Sequence, residues 1–100
     1  MQLHELRYEH FVNLVHRKVR ILNGESAVEA ELAFATKLGT GRKGRRDPFS
    51  LIFIGPREPV LPQKICTVDI GEELGSLDFF LVPLGPDEDA RGMQYEAIFT

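Results

Sequence analysis

The sequence has a single cysteine, and this scarcity excludes several kinds of chemistry. Cys66 has no second thiol with which to form an internal disulfide, and one thiolate is too few for a cysteine-based metal site. Proteins without disulfides are typical of reducing compartments. We therefore expect the protein to be cytoplasmic.

Long hydrophobic runs are also absent from the chain. The longest apolar-rich run, residues 77–84, is interrupted by an aspartate and a proline and falls far short of the roughly 20 residues that span a bilayer. The first residues carry Glu5, Arg7 and Glu9 among the apolar ones, without the continuous hydrophobic segment of a secretory signal. We expect neither a membrane span nor a secretory signal.

Length and composition are ordinary for a globular domain. The chain has 100 residues, of which 43% are apolar and 27% are charged, so neither a disordered nor a fibrous protein is expected. The net charge of -3 is uneven: residues 1–46 hold nine Lys and Arg against five Asp and Glu, and residues 47–100 hold three against ten. We predict a single domain over residues 1–100, with a hint of a dipolar surface.

Apolar residues near the start recur at intervals of three and four, which is the spacing of one helix face. These residues are Tyr8, Phe11, Val12 and Val15. The pattern predicts one short helix over roughly residues 7–14.

Beyond this helix, apolar residues alternate with polar ones, as in β-strands that bury one face. Residues 18–22 form the first such segment, and the Asn23-Gly24 pair after it predicts a hairpin because both residues accept the positive φ angles of a type I′ turn. In the long second segment, the residues predicted to face the core are Val28, Ala30, Leu32, Phe34 and Leu38.

Four further strands follow, and the first of them, residues 49–54, is apolar in both phases and therefore expected to be central. In the other three, the residues expected to face inward are Cys66, Val68 and Ile70; Leu77, Phe79 and Leu81; and Met93, Tyr95, Ala97 and Phe99. Six strands with mostly turn-sized connections predict a mainly β fold, an antiparallel meander that closes into a small barrel or folds into a compact sandwich. We favour the six-stranded barrel, with the helix plugging one end, because closure leaves no exposed edge strand.

No group of residues matches a catalytic, cofactor-binding or metal-binding pattern. His4, His10 and His16 are six residues apart, a step of about 240° around a helix, so they do not share a face. Cys66 falls on the apolar side of its strand, where a thiol is usually an inert core residue. We expect no catalytic residue, no cofactor and no metal, and a protein that is not an enzyme.

Two loops of opposite charge are the candidate contact sites. The basic one contains Arg42, Lys43, Arg45 and Arg46, and the acidic one contains Asp87, Glu88 and Asp89. The basic loop offers cations to a phosphate backbone, yet most Phe and Tyr residues fall at core positions rather than on an exposed surface where bases would stack. Nucleic-acid or anion binding by residues 41–46 is therefore the alternative and not the leading hypothesis.

Five short segments from residue 48 onward form a recognisable series: FSLIFIGP (49–56), LPQ (61–63), LG (74–75), FLVPLGP (80–86) and GMQYEAIF (92–99). In these segments the sequence resembles a family of small uncharacterised bacterial proteins. The resemblance implies a small β-domain with no assigned activity, often encoded near phage-tail-collar-like or other tail-fibre-type proteins. Arg7 and His16 stand where such proteins often carry a helix-capping Ser or Thr and a Gly, and the 39–46 loop is unusually basic.

These features lead us to expect a structural or protein-interaction domain, which the resemblance would make an accessory of a phage-tail-like assembly. If the 41–46 and 87–89 loops lie at opposite ends of the fold, one copy would dock head-to-tail on the next, a geometry that builds rings or filaments. The expected partner is therefore another protein or a second copy of this chain, and not a membrane.

Overall fold

The computed structural model describes residues 5–24, 26–86 and 92–100, most of which lie in antiparallel strands. A short helix, α1 (Tyr8–Phe11), continues into a 3₁₀ turn (Val12–Leu14). The strands are β1 (Lys18–Asn23), β2 (Ser26–Lys37), β3 (Phe49–Gly55), β4 (Lys64–Asp69), β5 (Ser76–Pro86) and β6 (Met93–Phe99). None of the helices in the described ranges is long and apolar enough to cross a membrane.

The strands close into a barrel in the order β1-β2-β3-β6-β5-β4, with β4 pairing back onto β1. The predicted mainly β fold and the barrel are confirmed. The prediction of a meander is wrong at one connection, because β3 pairs with β6 and not with β4. Residues 56–63 therefore cross one end of the barrel, and a turn-sized segment and a crossing of this length look alike in sequence.

The two ends of the barrel differ in what covers them. Lys37, Phe49 and Phe99 are paired at what we call the helix end. Gly55 is paired with Met93 at the opposite end. The β2–β3 loop lies at the helix end, and the strand ends Pro86 and Met93 lie at the opposite end.

The barrel interior is filled by the inward half of each alternation. Side chains that are at most 2% exposed include Val19, Ile21, Leu32, Leu51, Phe53, Cys66, Val68, Phe79, Leu81, Tyr95 and Ala97. The backbone N–H of Leu61 donates to the Tyr95 hydroxyl at 2.8 Å, which satisfies a buried polar group and fastens the crossing connection to the core. The inward residues predicted for β4, β5 and β6 are confirmed, Cys66 among them.

Four phenylalanines close the helix end. The rings of Phe49 and Phe99 stack at 4.7 Å, Phe79 meets Phe99 edge-on at 5.3 Å, and Phe11 of α1 lies 5.7 Å from Phe49. Burying a side chain such as Phe11 stabilises the fold by roughly 1.5–3 kcal/mol. The prediction that the helix plugs one end is confirmed.

The buried face of the helical segment differs from the predicted one. Phe11 and Leu14 are buried, whereas Val12 is 39% exposed. The reason is that residues 12–14 form a 3₁₀ turn, in which positions three apart lie directly above one another. The prediction that Val12 lies on the buried face was wrong, because it assumed a regular α-helical spacing.

The β1–β2 hairpin forms as predicted, with its turn displaced by one residue. Asn23 stays in the ladder opposite Ser26, so the loop begins at Gly24, whose φ of 63° suits glycine. The hairpin register is fixed on the inner face by Val19 opposite Ala30 and by Ile21 opposite Val28.

Candidate interaction surface

A β-bulge in β2 sends large apolar side chains to the outside of the barrel. Leu32 pairs with Phe53 and Phe34 with Ile52, so Ala33 is the extra residue between them. An extra residue inverts the alternation that follows it. Phe34 and Leu38, predicted to face the core, are instead 52% and 50% exposed. That prediction was wrong because a bulge leaves no periodic signal in the sequence.

Three more strands add apolar side chains to the same outer surface. Ile98 of β6 is 58% exposed, Phe80 of β5 is 51% exposed, and Ile65 of β4 is 66% exposed. Ile65 and Phe80 are directly paired across β4 and β5, so their side chains lie on the same side of the sheet. Each of the three occupies a position where the neighbouring residues along its strand face inward.

The ladder links these residues across the outside of five strands, with Glu96 between Ile52 and Val82. Ile52 is paired with both Phe34 and Glu96, and Glu96 is paired with Val82, which lies two residues along β5 from Phe80. We call this surface the apolar face and define it by Phe34, Ile52, Ile65, Phe80, Val82 and Ile98. Surface patches of several apolar side chains are uncommon on monomeric proteins and usually mark interaction sites.

The outside of β1 and its neighbours is built differently. Lys18 is paired with Glu31, and Arg20 is paired with Glu29 on one side and with Asp69 on the other. Opposite charges on directly paired positions of a sheet contribute roughly 0.2–1 kcal/mol each. We call this surface the charged face, defined by these five residues.

The basic loop is a compact extension of the β2–β3 hairpin. Its base is closed by the Leu38 amide donating to the Pro48 carbonyl at 2.9 Å. Inside, the Gly41 amide donates to Asp47 Oδ1 at 2.7 Å, and the Arg45 amide donates to the Arg42 carbonyl at 2.8 Å. A Cβ on Gly41 would collide with the Arg46 carbonyl, so this position requires glycine.

The structure separates the four predicted basic residues into two groups. Arg42, Lys43 and Arg45 are exposed. Arg46 instead donates from Nη1 to the Leu6 carbonyl at 2.6 Å and from Nε to the Thr100 carbonyl at 3.2 Å. Desolvation, with a smaller contribution from the positive charge of Arg7, lowers the pKa of Arg46. Arg46 therefore anchors the loop to the helix end.

Its position over two rings reinforces that role. The Arg46 guanidinium lies 5.7 Å from the centre of the Phe49 ring and 5.5 Å from that of Phe99. Contacts of this kind contribute about 0.5–1 kcal/mol at accessible sites. Arg46 therefore connects the basic loop to the phenylalanine cluster at the helix end.

A family comparison places the chain among known sequences. The family described as a domain of unknown function, DUF6916, matches residues 6–99. The chain belongs to the DUF6916 family. No curated protein and no solved structure matches it. The expected likeness to a family of uncharacterised domains is confirmed at that level, and the bacterial distribution and tail-fibre context stay predictions.

The acidic loop predicted as a second contact site, Asp87, Glu88 and Asp89, lies outside the described residues of this DUF6916 domain. Its described neighbours, Pro86 and Gly92, lie at the opposite end of the barrel from the basic loop. Head-to-tail docking through the two loops stays a prediction.

The remaining residues considered as candidates are a cysteine and the histidines. Cys66 is 2% exposed, and burial raises the pKa of its thiol, so it lies in the core of the DUF6916 barrel as predicted. His10 accepts the Arg7 amide at its Nδ1 at 2.9 Å, and His16 is exposed. In the described ranges no group of His, Cys, Asp and Glu has the arrangement of a metal site.

Sequence reasoning missed the apolar face altogether. Ile65, Phe80 and Ile98 lie in the outward phase of strands whose inward phase is also apolar. Apolar residues in both phases of a strand were a signal that could have found this surface, and in β3 they were interpreted only as a sign of a central strand. The contribution of Phe34 had no such signal.

Proposed function

We propose that this domain is a structural, protein-interaction module without enzymatic activity, which associates with a second copy of itself through the apolar face. The observation that supports it is the exposure of Phe34, Ile65, Phe80 and Ile98 on the outside of the barrel. The resemblance noted in the sequence suggests a phage-tail-like assembly as the setting.

The size of the apolar face suits a contact between two copies. Half-exposed side chains of this size offer about 100 Å² each, so the six that are half exposed present roughly 600 Å². They are Phe34, Ile65, Phe80 and Ile98, with the neighbouring Leu38 and Leu84. A standard interface buries about 800 Å² on each partner, the remainder being a polar rim. Interfaces between identical subunits are also more apolar than those between transient partners.

The charge of the apolar face favours an identical partner over a charged one. Among its described paired positions only Glu96 is ionised, and it lies beside Ile52 and Val82. Such a surface offers little to a strongly charged protein but is matched by another copy of itself. Because the barrel is closed, association through side chains replaces the addition of a strand at an edge.

A second candidate contact uses the two ends of the barrel. The basic loop of one copy would meet the acidic residues 87–89 of the next, and the positions of the flanking strand ends are compatible with this arrangement. Salt distinguishes the two contacts, because screening weakens the pairing of charged loops whereas the burial of apolar side chains persists.

Sedimentation velocity over a range of protein concentrations, at low and high salt, tests the proposal. We expect self-association that persists at high salt and is lost in the double variant Ile65→Ser/Phe80→Ser. The matched control is Val12→Ser/Val60→Ser, which removes two exposed apolar side chains away from the apolar face and should associate like the wild type.

Two outcomes would contradict the apolar contact. Association that disappears at high salt and survives Ile65→Ser/Phe80→Ser would assign it to the charged loops. A wild-type protein that is monomeric at every concentration and ionic strength would exclude self-association by either route.

A further inference from the structure

We propose that the basic loop forms a binding site for a phosphate group, in a pocket of about 330 Å³ between Arg42, Arg45 and Arg46 at the helix end. This site is separate from the apolar face and does not depend on self-association.

The loop holds the pocket in a defined shape. The Leu38–Pro48 bond closes its base, and the Arg42–Arg45 turn, with Gly44 at a φ of 81°, sets the two exposed arginines at the two ends of one turn. Both line the pocket together with Arg46. A site whose loop is already ordered loses less conformational entropy when a ligand binds.

The pocket has an excess of positive charge. Three guanidinium groups line it, and none of its described lining side chains is acidic. The backbone of Thr100 also lines it, where its oxygen accepts from Arg46 Nε at 3.2 Å. The nearby carboxylate of Asp47 is occupied by the Gly41 amide at 2.7 Å. Among the described residues, neither Arg42 nor Arg45 forms an ion pair, so an incoming anion would not have to displace an internal partner.

Arg46 gives the pocket a fixed cationic wall. Its contacts with two carbonyl groups and two aromatic rings hold the guanidinium in place. Its lowered pKa reflects partial removal from water and the nearby charge of Arg7, and a bound anion would compensate both effects.

Arginine suits phosphate better than it suits a single point charge. The planar guanidinium donates two parallel hydrogen bonds to a phosphate or carboxylate, and two or three such groups around one pocket favour the tetrahedral, multiply charged phosphate. The pocket volume lies at the small end of the range for ligand sites. The phosphate could belong to a small phosphorylated molecule or to the backbone of a single-stranded nucleic acid.

Two probes distinguish these sources. Inorganic pyrophosphate, followed by titration calorimetry, represents the small ligand, and a labelled oligothymidylate of about 12 nucleotides, followed by fluorescence anisotropy, represents the backbone. Both titrations are made at about 50 mM salt, where electrostatic binding is strong. The variant is Arg42→Gln/Arg45→Gln, which leaves the anchoring Arg46 intact.

The control removes the same amount of charge outside the pocket. Lys43 lies in the same loop without lining the pocket, and Arg57 lies in the connection that crosses the barrel. We expect Arg42→Gln/Arg45→Gln to weaken pyrophosphate binding at least about tenfold, because each substitution removes a charged hydrogen bond from a guanidinium group to the phosphate. The control Lys43→Gln/Arg57→Gln should change it by less than about twofold, since rim charges contribute little.

The site is supported if pyrophosphate binding is weakened by Arg42→Gln/Arg45→Gln and not by the control. If the same variant also loses oligothymidylate binding, the phosphate belongs to a nucleic-acid backbone. If the wild type does not bind oligothymidylate, the ligand is a small phosphorylated molecule. Failure of wild type to bind either probe would overturn the site. Equal weakening by the variant and by the control would also overturn it, because it would reduce the effect to net charge.

Discussion

The charged face and the apolar face are the outer surfaces of one barrel, and they reach stability in different ways. On the charged face, Lys18 and Arg20 lie opposite carboxylate-bearing residues of neighbouring strands. On the apolar face, Phe80 and Ile65 also pair across strands, yet half or more of each side chain remains in water. Under our proposal, a contact outside the chain covers this second face.

The largest expected effect tests which side chains belong to the outside. Leu32 and Phe34 are two residues apart on β2, and the bulge places them on opposite sides of the barrel wall. We expect Leu32→Ala to lower the free energy of unfolding by about 2–5 kcal/mol because it leaves a cavity in the core. Phe34→Ala should change it by no more than about 0.5 kcal/mol when measured on the monomer.

Urea denaturation at low protein concentration measures both variants. A loss of more than about 2 kcal/mol in Phe34→Ala would mean that this ring is buried, as the unbroken alternation had predicted, and the apolar face would lose a member.

A smaller effect is expected at the corner beside the charged face. His16 has a φ of 79°, a conformation that is costly for residues other than glycine, while its amide donates to the Leu32 carbonyl at 2.6 Å. This is also the position at which the resemblance implies glycine. We expect His16→Gly to stabilise the protein by about 0.5–1 kcal/mol, since relief of strain exceeds the added flexibility of the unfolded chain.

Thermal unfolding compared with that of His16→Ala checks the cause. Alanine has the same steric conflict as histidine at this backbone angle and should give no gain. Equal stabilisation by alanine would attribute the effect to loss of the imidazole, which lies 3.4 Å from Glu31, and not to the backbone.

Reversing one charge should disturb only the charged face. Arg20→Glu places like charges opposite Glu29 and Asp69 and should cost about 0.5–1 kcal/mol. The cost should shrink as salt is added, because Arg20 and Glu29 are exposed to solvent. A penalty that salt does not change would indicate lost packing of the arginine stem instead of charge pairing.

The smallest effect concerns the turn after β4. Glu73 is exposed, and two hydrogen bonds lower the pKa of its carboxyl from the usual value. The larger effect comes from its own backbone amide and the smaller from the Arg17 guanidinium at 2.6 Å. A lowered pKa in the folded state gives stability that is present above the unfolded-state pKa and is lost as pH falls through the folded-state value. The stability difference between wild type and Glu73→Gln should therefore be constant near neutral pH and fade under acid conditions.

Chemical denaturation across this pH range gives the comparison directly. An advantage of the wild type that grew on acidification would reverse the sign and show that Glu73 has no favourable partner in the folded protein.

The alternation of apolar residues was enough to predict most of the strand core, and the need to avoid an exposed edge strand favoured the plugged barrel. Cys66, Phe79 and Tyr95 lie inside as expected, since a period of two assigns a side to every residue once one face is buried. The order of the strands was not predictable in the same way, because the exchange of β4 for β6 beside β3 depends on contacts distant in sequence.

The candidate site was much harder to predict. The basic residues were recognisable as a cluster, but the anchoring of Arg46 at the Leu6 carbonyl depends on how the N-terminal segment folds back. Phe34 reached the surface through a bulge whose extra residue, Ala33, looks like any strand alanine. Local sequence patterns therefore predicted burial well, but they did not predict the β-bulge or the contact of the N-terminal segment with the loop.

NMR chemical shifts followed during dilution test the central claim most directly, because they report on every part of the surface at once. Self-association through the apolar face predicts concentration-dependent shifts at Phe34, Ile65, Phe80 and Ile98, with little change at Lys18 and Arg20. Shifts confined to the charged face, or none at any concentration, would contradict it.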